Sequence, residues 1–127
     1  MGCGCVSNGI APIGDIERFL RQIKIEMTKP NRFDLVTRKE NMNCIANLGL
    51  SVKAAEGEIM SLTYHDYYRG PAPDHDKARP GDIWEFVKDV IGMSIYIKLK
   101  LDQNRGCVCL SFHELTRQVT MPYRPVT

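Results

Sequence analysis

The stretch Ile95–Glu114, IYIKLKLDQNRGCVCLSFHE, alternates apolar and polar residues on both sides of a polar turn, and it constrains the fold more than any other part of the chain. Successive side chains of a strand leave on opposite faces, so odd and even positions can be sorted directly. Before the turn, Ile95, Ile97, Leu99 and Leu101 share one side, and Tyr96, Lys98 and Lys100 share the other. After the turn signal Asp102-Gln103-Asn104-Arg105-Gly106, the apolar set is Val108, Leu110 and Phe112, which leaves Cys107, Cys109, Ser111 and His113 on the polar side. Directly opposed residues of an antiparallel pair share a face, so the register must join an even position to an odd one. A tighter turn places Tyr96 opposite Ser111 and Lys98 opposite Cys109, whereas a longer one places Tyr96 opposite His113. Either register leaves one dry face and one face that carries Tyr96, Lys98, Lys100, Ser111 and His113.

A dry sheet face needs a cover, and the first half of the chain supplies helices for it. Gly14-Asp15 followed by Ile16, Phe19, Leu20, Ile23 and Met27 predicts an amphipathic helix, with Asp15 as its cap and Lys29-Pro30 as its stop. The segment RFDLVTR is short and rich in β-formers, and predicts a strand. Met42, Ile45 and Ala46 point to a short helix ended by Gly49; Ser51 then caps another, with Val52, Ala55, Ile59 and Leu62 at helical spacing. HDYYRGPAPDHDKARPGD reads as a long irregular loop between a helical half and a β half. DIWEFVKDVIGMS adds a strand; with Trp84 and Phe86 on the dry face, Glu85 and Val87 fall on the polar one, and Glu85 comes beside Lys98 or Tyr96. The expectation is an α+β fold: N-terminal helices packed on one face of a C-terminal antiparallel sheet of three or more strands. Residues 1–14 are expected as a flexible tail and 15–127 as a single domain, in which a chain of 127 residues buries roughly two thirds of its unfolded surface.

Composition narrows the function. With 17 basic and 15 acidic residues the chain is no polycation, yet from Val90 onward Lys98, Lys100, Arg105, Arg117 and Arg124 outnumber Asp102 and Glu114. An anion-binding surface is therefore expected on the C-terminal sheet. No apolar run approaches a membrane span, and the N-terminus lacks the hydrophobic core of a secretory signal, which predicts a cytoplasmic protein without a membrane partner. The opening MGCGCVSNG suggests lipidation, but Val6 stands where the myristoylation pattern requires Ser or Thr. Five cysteines, an odd number, fit free thiols in a reducing compartment. Neither C-x-C pair, Cys3/Cys5 or Cys107/Cys109, has a second half at zinc-binding spacing. His65, Asp66, Asp74, His75 and Asp76 lie in a stretch where Asp and His suit turns and solvent, so no metal or other cofactor is expected.

The polar face has the groups that RNA cleavage requires. Without a metal, that reaction needs a base for the 2′-hydroxyl, an acid for the leaving 5′-oxygen, and cations for the charged phosphorane. Glu85 suits the base and His113 the acid, since histidine titrates near neutrality. Lys98 and Lys100 can hold the phosphate, and Arg69 can add a bidentate contact if the long loop folds over the sheet. Tyr96 can orient the scissile group or stack on a base, and Tyr68 and Arg105 complete the expected RNA contacts with Lys100. A soluble sheet face is also polar for no catalytic reason, so a non-catalytic module that docks protein or RNA is the competing expectation, and a redox or metal role for the cysteines a third.

LGLS, DYYRG, GDIWEF, GMSIYIKLK and CLSFHE occur in an order and spacing that resembles the MqsR-type toxins of bacterial toxin–antitoxin pairs. The resemblance covers Leu48 to Glu114, and more loosely the N-terminal helix and the closing MPYR. It implies a RelE-like α+β fold and a metal-independent endoribonuclease that cuts mRNA, with or without the ribosome, to stop translation and growth, and is held inactive by an antitoxin. By position, the family's sheet tyrosine corresponds to Tyr96, and its basic residue after D-[FY]-Y to Arg69, where lysine is usual. Its glutamine after IW corresponds to Glu85 and its lysine after SF to His113. These departures keep a cation, a polar group and a proton carrier in place.

Overall fold

The structure is a computed structural model and describes residues 9–74 and 81–125. Helix α1, Ile13–Met27, buries Ile16, Phe19, Leu20, Ile23 and Met27, the stripe read from the sequence. It starts earlier than expected. Pro12, with its φ near −62°, occupies the cap position, and its carbonyl receives the amides of Asp15 and Ile16 at 3.0 and 3.2 Å. Asp15 therefore sits in the first turn, where its charge complements the helix dipole, and pairs with Arg18 at 3.0 Å. The stretch expected as a tail already packs from Gly9 onward, with Ile10 bridging to Gly70 and Ala11 buried. Helix α2 runs Lys39–Asn47 and stops at Gly49, whose φ of +71° suits glycine. Helix α3 runs Val52–Met60, with the Ser51 hydroxyl accepting from the Ala54 amide at 3.0 Å. Ala55, Ile59 and Leu62 are buried, but Val52 is exposed.

Five strands follow the order β1-β5-β4-β3-β2. They are β1 Phe33–Leu35, β2 Tyr67–Pro73, β3 Asp82–Val90, β4 Met93–Asp102 and β5 Gly106–Glu114. Strand β1 lies parallel to β5 and the other pairings are antiparallel, so the sheet is mixed at one edge. The three helices cover one face, where Phe19 stacks on Trp84 with ring centroids 4.6 Å apart, and the core joins Phe86, Ile95, Ile97, Leu99 and Phe112 to helix residues. This is the expected α+β arrangement.

Two further expectations need correction. The supposed loop 65–82 contains β2, an edge strand, which explains how Pro71 and Pro73 are tolerated: an edge has no second neighbour to receive a missing N–H. Second, neither register of the β4–β5 hairpin holds throughout. Tyr96 pairs with His113 and Lys98 with Ser111, but Leu99 then pairs with Cys109 and Lys100 with Val108. Leu110 is the extra residue of a bulge, and one extra residue exchanges the two faces of the strand beyond it. Cys107 and Cys109 consequently join the helix-covered core, and Val108 turns to the opposite face. Asn41 on α2 holds the bulge in place: its Nδ2 donates to the carbonyls of Leu110 and Val36 at 3.1 and 2.9 Å, and its Oδ1 accepts from the Phe112 amide at 3.0 Å.

Candidate functional site

Three neighbouring strands and the end of β5 bring the candidate residues to the face opposite the helices. On β2, Tyr67 pairs with Phe86 and Arg69 with Glu85, so Tyr68 is a bulge residue that switches the strand from core-facing Tyr67 to outward Arg69. The same strand depends on Gly70: its φ is +110°, and a Cβ there would lie 2.7 Å from the Ile83 carbonyl oxygen. On β3, Glu85 alternates with core residues Trp84 and Phe86 and pairs with Lys98 of β4. Tyr96 pairs with Val87 on one side and His113 on the other. The parity argument thus places Glu85, Tyr96, Lys98 and His113 on one face.

Glu85 is the hub. It is only 6% exposed, and its two carboxylate oxygens are both occupied: Oε2 accepts from Arg69 Nε at 2.8 Å, and Oε1 accepts from the Tyr96 hydroxyl. Burial raises the Tyr96 hydroxyl well above the ordinary phenol range, and the hydrogen bond to Glu85 and its negative charge push the same way. Arg69 is raised in turn, first by its hydrogen bond to Glu85. The Lys98 ammonium lies 5.9 Å from the Tyr96 ring centroid, and the His113 ring is 5.4 Å from the same ring. His113 Nδ1 lies 3.1 Å from the Glu114 carbonyl oxygen, so Nε2 is the ring nitrogen outside that contact. Arg69, Tyr96 and His113 line a cavity of ≈ 200 Å³, closed by Leu115, Thr116 and Arg117. Arg69 also lines a cleft of ≈ 390 Å³ with Glu85 and Lys98.

Other expected contacts are committed elsewhere. Lys100 is 3% exposed and pairs with Asp74 at 2.7 Å, with its Cε against Gly81, so it is no solvent-facing cation. Arg105 lies at the far turn and binds Asp34 at 2.7 Å. Tyr68 does stand at the site, its ring beneath the Arg69 guanidinium at 4.9 Å. Two of the acidic residues weighed as metal ligands have structural work: Asp66 closes a capping box with Thr63 and pairs with Arg124, and Asp74 holds Lys100. His75, Asp76, Cys3 and Cys5 lie outside the described residues. Burial pushes the Cys107 thiol up to about 12 and raises Cys109 as well, which leaves neither disposed to act as a thiolate. Sequence reasoning missed the wall made by Leu115, Thr116 and Arg117; Arg117 entered only as one of several C-terminal cations, since irregular chain carries no periodicity to place it.

Fold and site together define a small α+β domain with a cavity lined by arginine, tyrosine and histidine on the sheet face opposite its helices. Residues 18–114 match the family described as motility quorum-sensing regulator, toxin of MqsA, and the chain belongs to that family. Membership implies a toxin with an antitoxin partner. No curated protein and no solved structure matches the chain. Among the described residues, no helix is long and apolar enough to cross a membrane.

Proposed function

We propose that this protein is an mRNA endoribonuclease of toxin type with a RelE-like relation, acting in the cytoplasm to stop translation and silenced by its antitoxin. The observation that carries the proposal is the convergence of Arg69, Glu85, Tyr96, Lys98 and His113 on one sheet face. In the reaction, the 2′-oxygen attacks the adjacent phosphorus and the bond to the 5′-oxygen breaks, giving a 2′,3′-cyclic phosphate and a 5′-hydroxyl. Because both Glu85 oxygens are occupied, Glu85 serves as base through Tyr96: the 2′-proton passes to the Tyr96 oxygen as the phenolic proton passes to Glu85. His113 gives the proton from Nε2 to the leaving 5′-oxygen. Arg69 and Lys98 hold the non-bridging oxygens, whose charge grows in the transition state.

The test is a mixed-sequence transcript incubated with purified protein in excess chelator. Discrete fragments with 5′-hydroxyl ends are expected, with His113→Ala and Tyr96→Phe each at least about a hundredfold slower, as loss of a general acid or base typically costs. RNA bound but left whole by the parent protein would replace the proposal with a non-catalytic RNA-binding module.

A further inference from the structure

We infer that Arg117, which lies beyond the family-matched part of the chain, is a second phosphate-binding residue that works with Arg69 on the RNA backbone next to the scissile bond. The inference deepens the endoribonuclease reading and rests on it.

The segment that carries Arg117 is tied down at both ends. After β5 ends at Glu114, the Leu115 amide still donates to the Ser94 carbonyl at 2.9 Å, so the chain leaves along β4. Further on, the Tyr123 hydroxyl donates to the Ala11 carbonyl at 2.7 Å, with its ring 6.1 Å from that of Tyr67. Arg124 Nη2 then donates to the Val87 carbonyl at 2.5 Å and reaches Asp66 at 3.4 Å. A span anchored in this way is held as a wall of the cavity, which explains why Val87, on the face without helices, is only 2% exposed.

Within that wall, Arg117 turns toward the site. It lines the ≈ 200 Å³ cavity with Arg69, Tyr96 and His113. Its Nη2 lies 3.3 Å from the Tyr68 hydroxyl, while the Arg69 guanidinium sits over the ring of the same tyrosine. Arg69 has Glu85 as its counter-ion, but Arg117 has no carboxylate partner among the described residues. Two guanidinium groups on one small cavity repel each other unless an anion lies between them, and a phosphodiester has the charge and the paired oxygens that a guanidinium fork accepts. One carboxylate among two arginines and Lys98 leaves the site with excess positive charge for that anion.

The experiment measures binding of a fluorescein-labelled, fully 2′-O-methylated RNA, which cannot be cut, by anisotropy over a series of salt concentrations, alongside cleavage of an unmodified transcript. Arg117→Ala is expected to weaken binding on the order of tenfold, the scale of one charge-assisted hydrogen bond. It should also reduce the slope of log affinity against log salt by about 0.7. Arg117→Lys should restore the slope but only part of the affinity. Lys53→Ala, which removes the same charge from the solvent side of α3, should change neither. Arg117 is exposed, and circular dichroism of each variant should match the parent. A parent that cuts and an Arg117→Ala protein with unchanged affinity and slope would overturn the Arg117 assignment alone. A parent that binds with the expected Arg117 effects but never cuts would overturn the catalytic reading and leave Arg117 as an RNA contact. A parent that neither binds nor cuts would overturn both.

Discussion

The Arg69–Glu85 pair permits a prediction with an unusual sign. Arg69 is 51% exposed at its side chain and Glu85 only 8%, so the two partners differ in what each loses when left alone. Removing the guanidinium as Arg69→Ala strands a buried carboxylate whose remaining partner is a single phenol. A fully buried pair broken this way costs about 3–5 kcal/mol, and a fully exposed one about 0–1. With one partner half in water the expected cost lies between, about 1–3 kcal/mol, which is about 4–12 °C in Tm for a chain of this size. Glu85→Gln should cost less, because the amide still accepts from Tyr96 and the freed Arg69 is already half hydrated. Combining the two should therefore give a protein more stable than Arg69→Ala alone, since no buried charge remains. Urea denaturation of the four proteins at neutral pH measures this cycle. Arg69→Ala as stable as the parent, or a double variant less stable than Arg69→Ala, would refute the argument that Glu85 is a buried charge dependent on Arg69.

Asn41→Leu should cost about 2–4 kcal/mol in the same assay, since it strands the Phe112 amide and removes a donor from the carbonyls of Leu110 and Val36; amide exchange at Phe112 should accelerate in step. Gly70→Ala should destabilise by more than about 1 kcal/mol, because the new Cβ would meet the Ile83 carbonyl in a backbone conformation alanine resists. Tyr96 gives a pH dependence. Its folded pKa is raised above 10.0, so the folded state keeps a proton that the unfolded chain loses. The resulting stability is complete below pH 10 and declines from there upward, and Tyr96→Phe should flatten that alkaline decline in thermal melts.

The fold was legible wherever one residue type could occupy only one face. Trp84, Phe86, Ile95 and Ile97 could not face water as a set, and that settled the side on which Glu85, Tyr96, Lys98 and His113 emerge. The same reasoning failed at CVCL, because cysteine and valine are both common in cores and either phase of the strand looked acceptable. The residue that binds the bulge, Asn41, is far away in sequence, and its side chain reads as ordinary helix surface until β5 is beside it. Strand β2 was hidden by its prolines, which signal a loop unless the strand is known to be an edge. The sequence placed Glu85 beside Tyr96 or Lys98 but not beside Arg69, its ion-pair partner. That both of its oxygens would be taken required the outward turn of Arg69, which a bulge supplies and no alternation reveals.

The bulge at Leu110 also divides the labour of one hairpin. Toward the turn, cysteines seal the interior and Val108 looks outward; toward the strand end, Phe112 seals it and His113 looks outward. The two halves thus follow opposite alternations, and the pairing of His113 with Tyr96 belongs to the strand-end half alone. Deleting Leu110 itself would remove that division, forcing either the cysteines out of the interior or the imidazole into it.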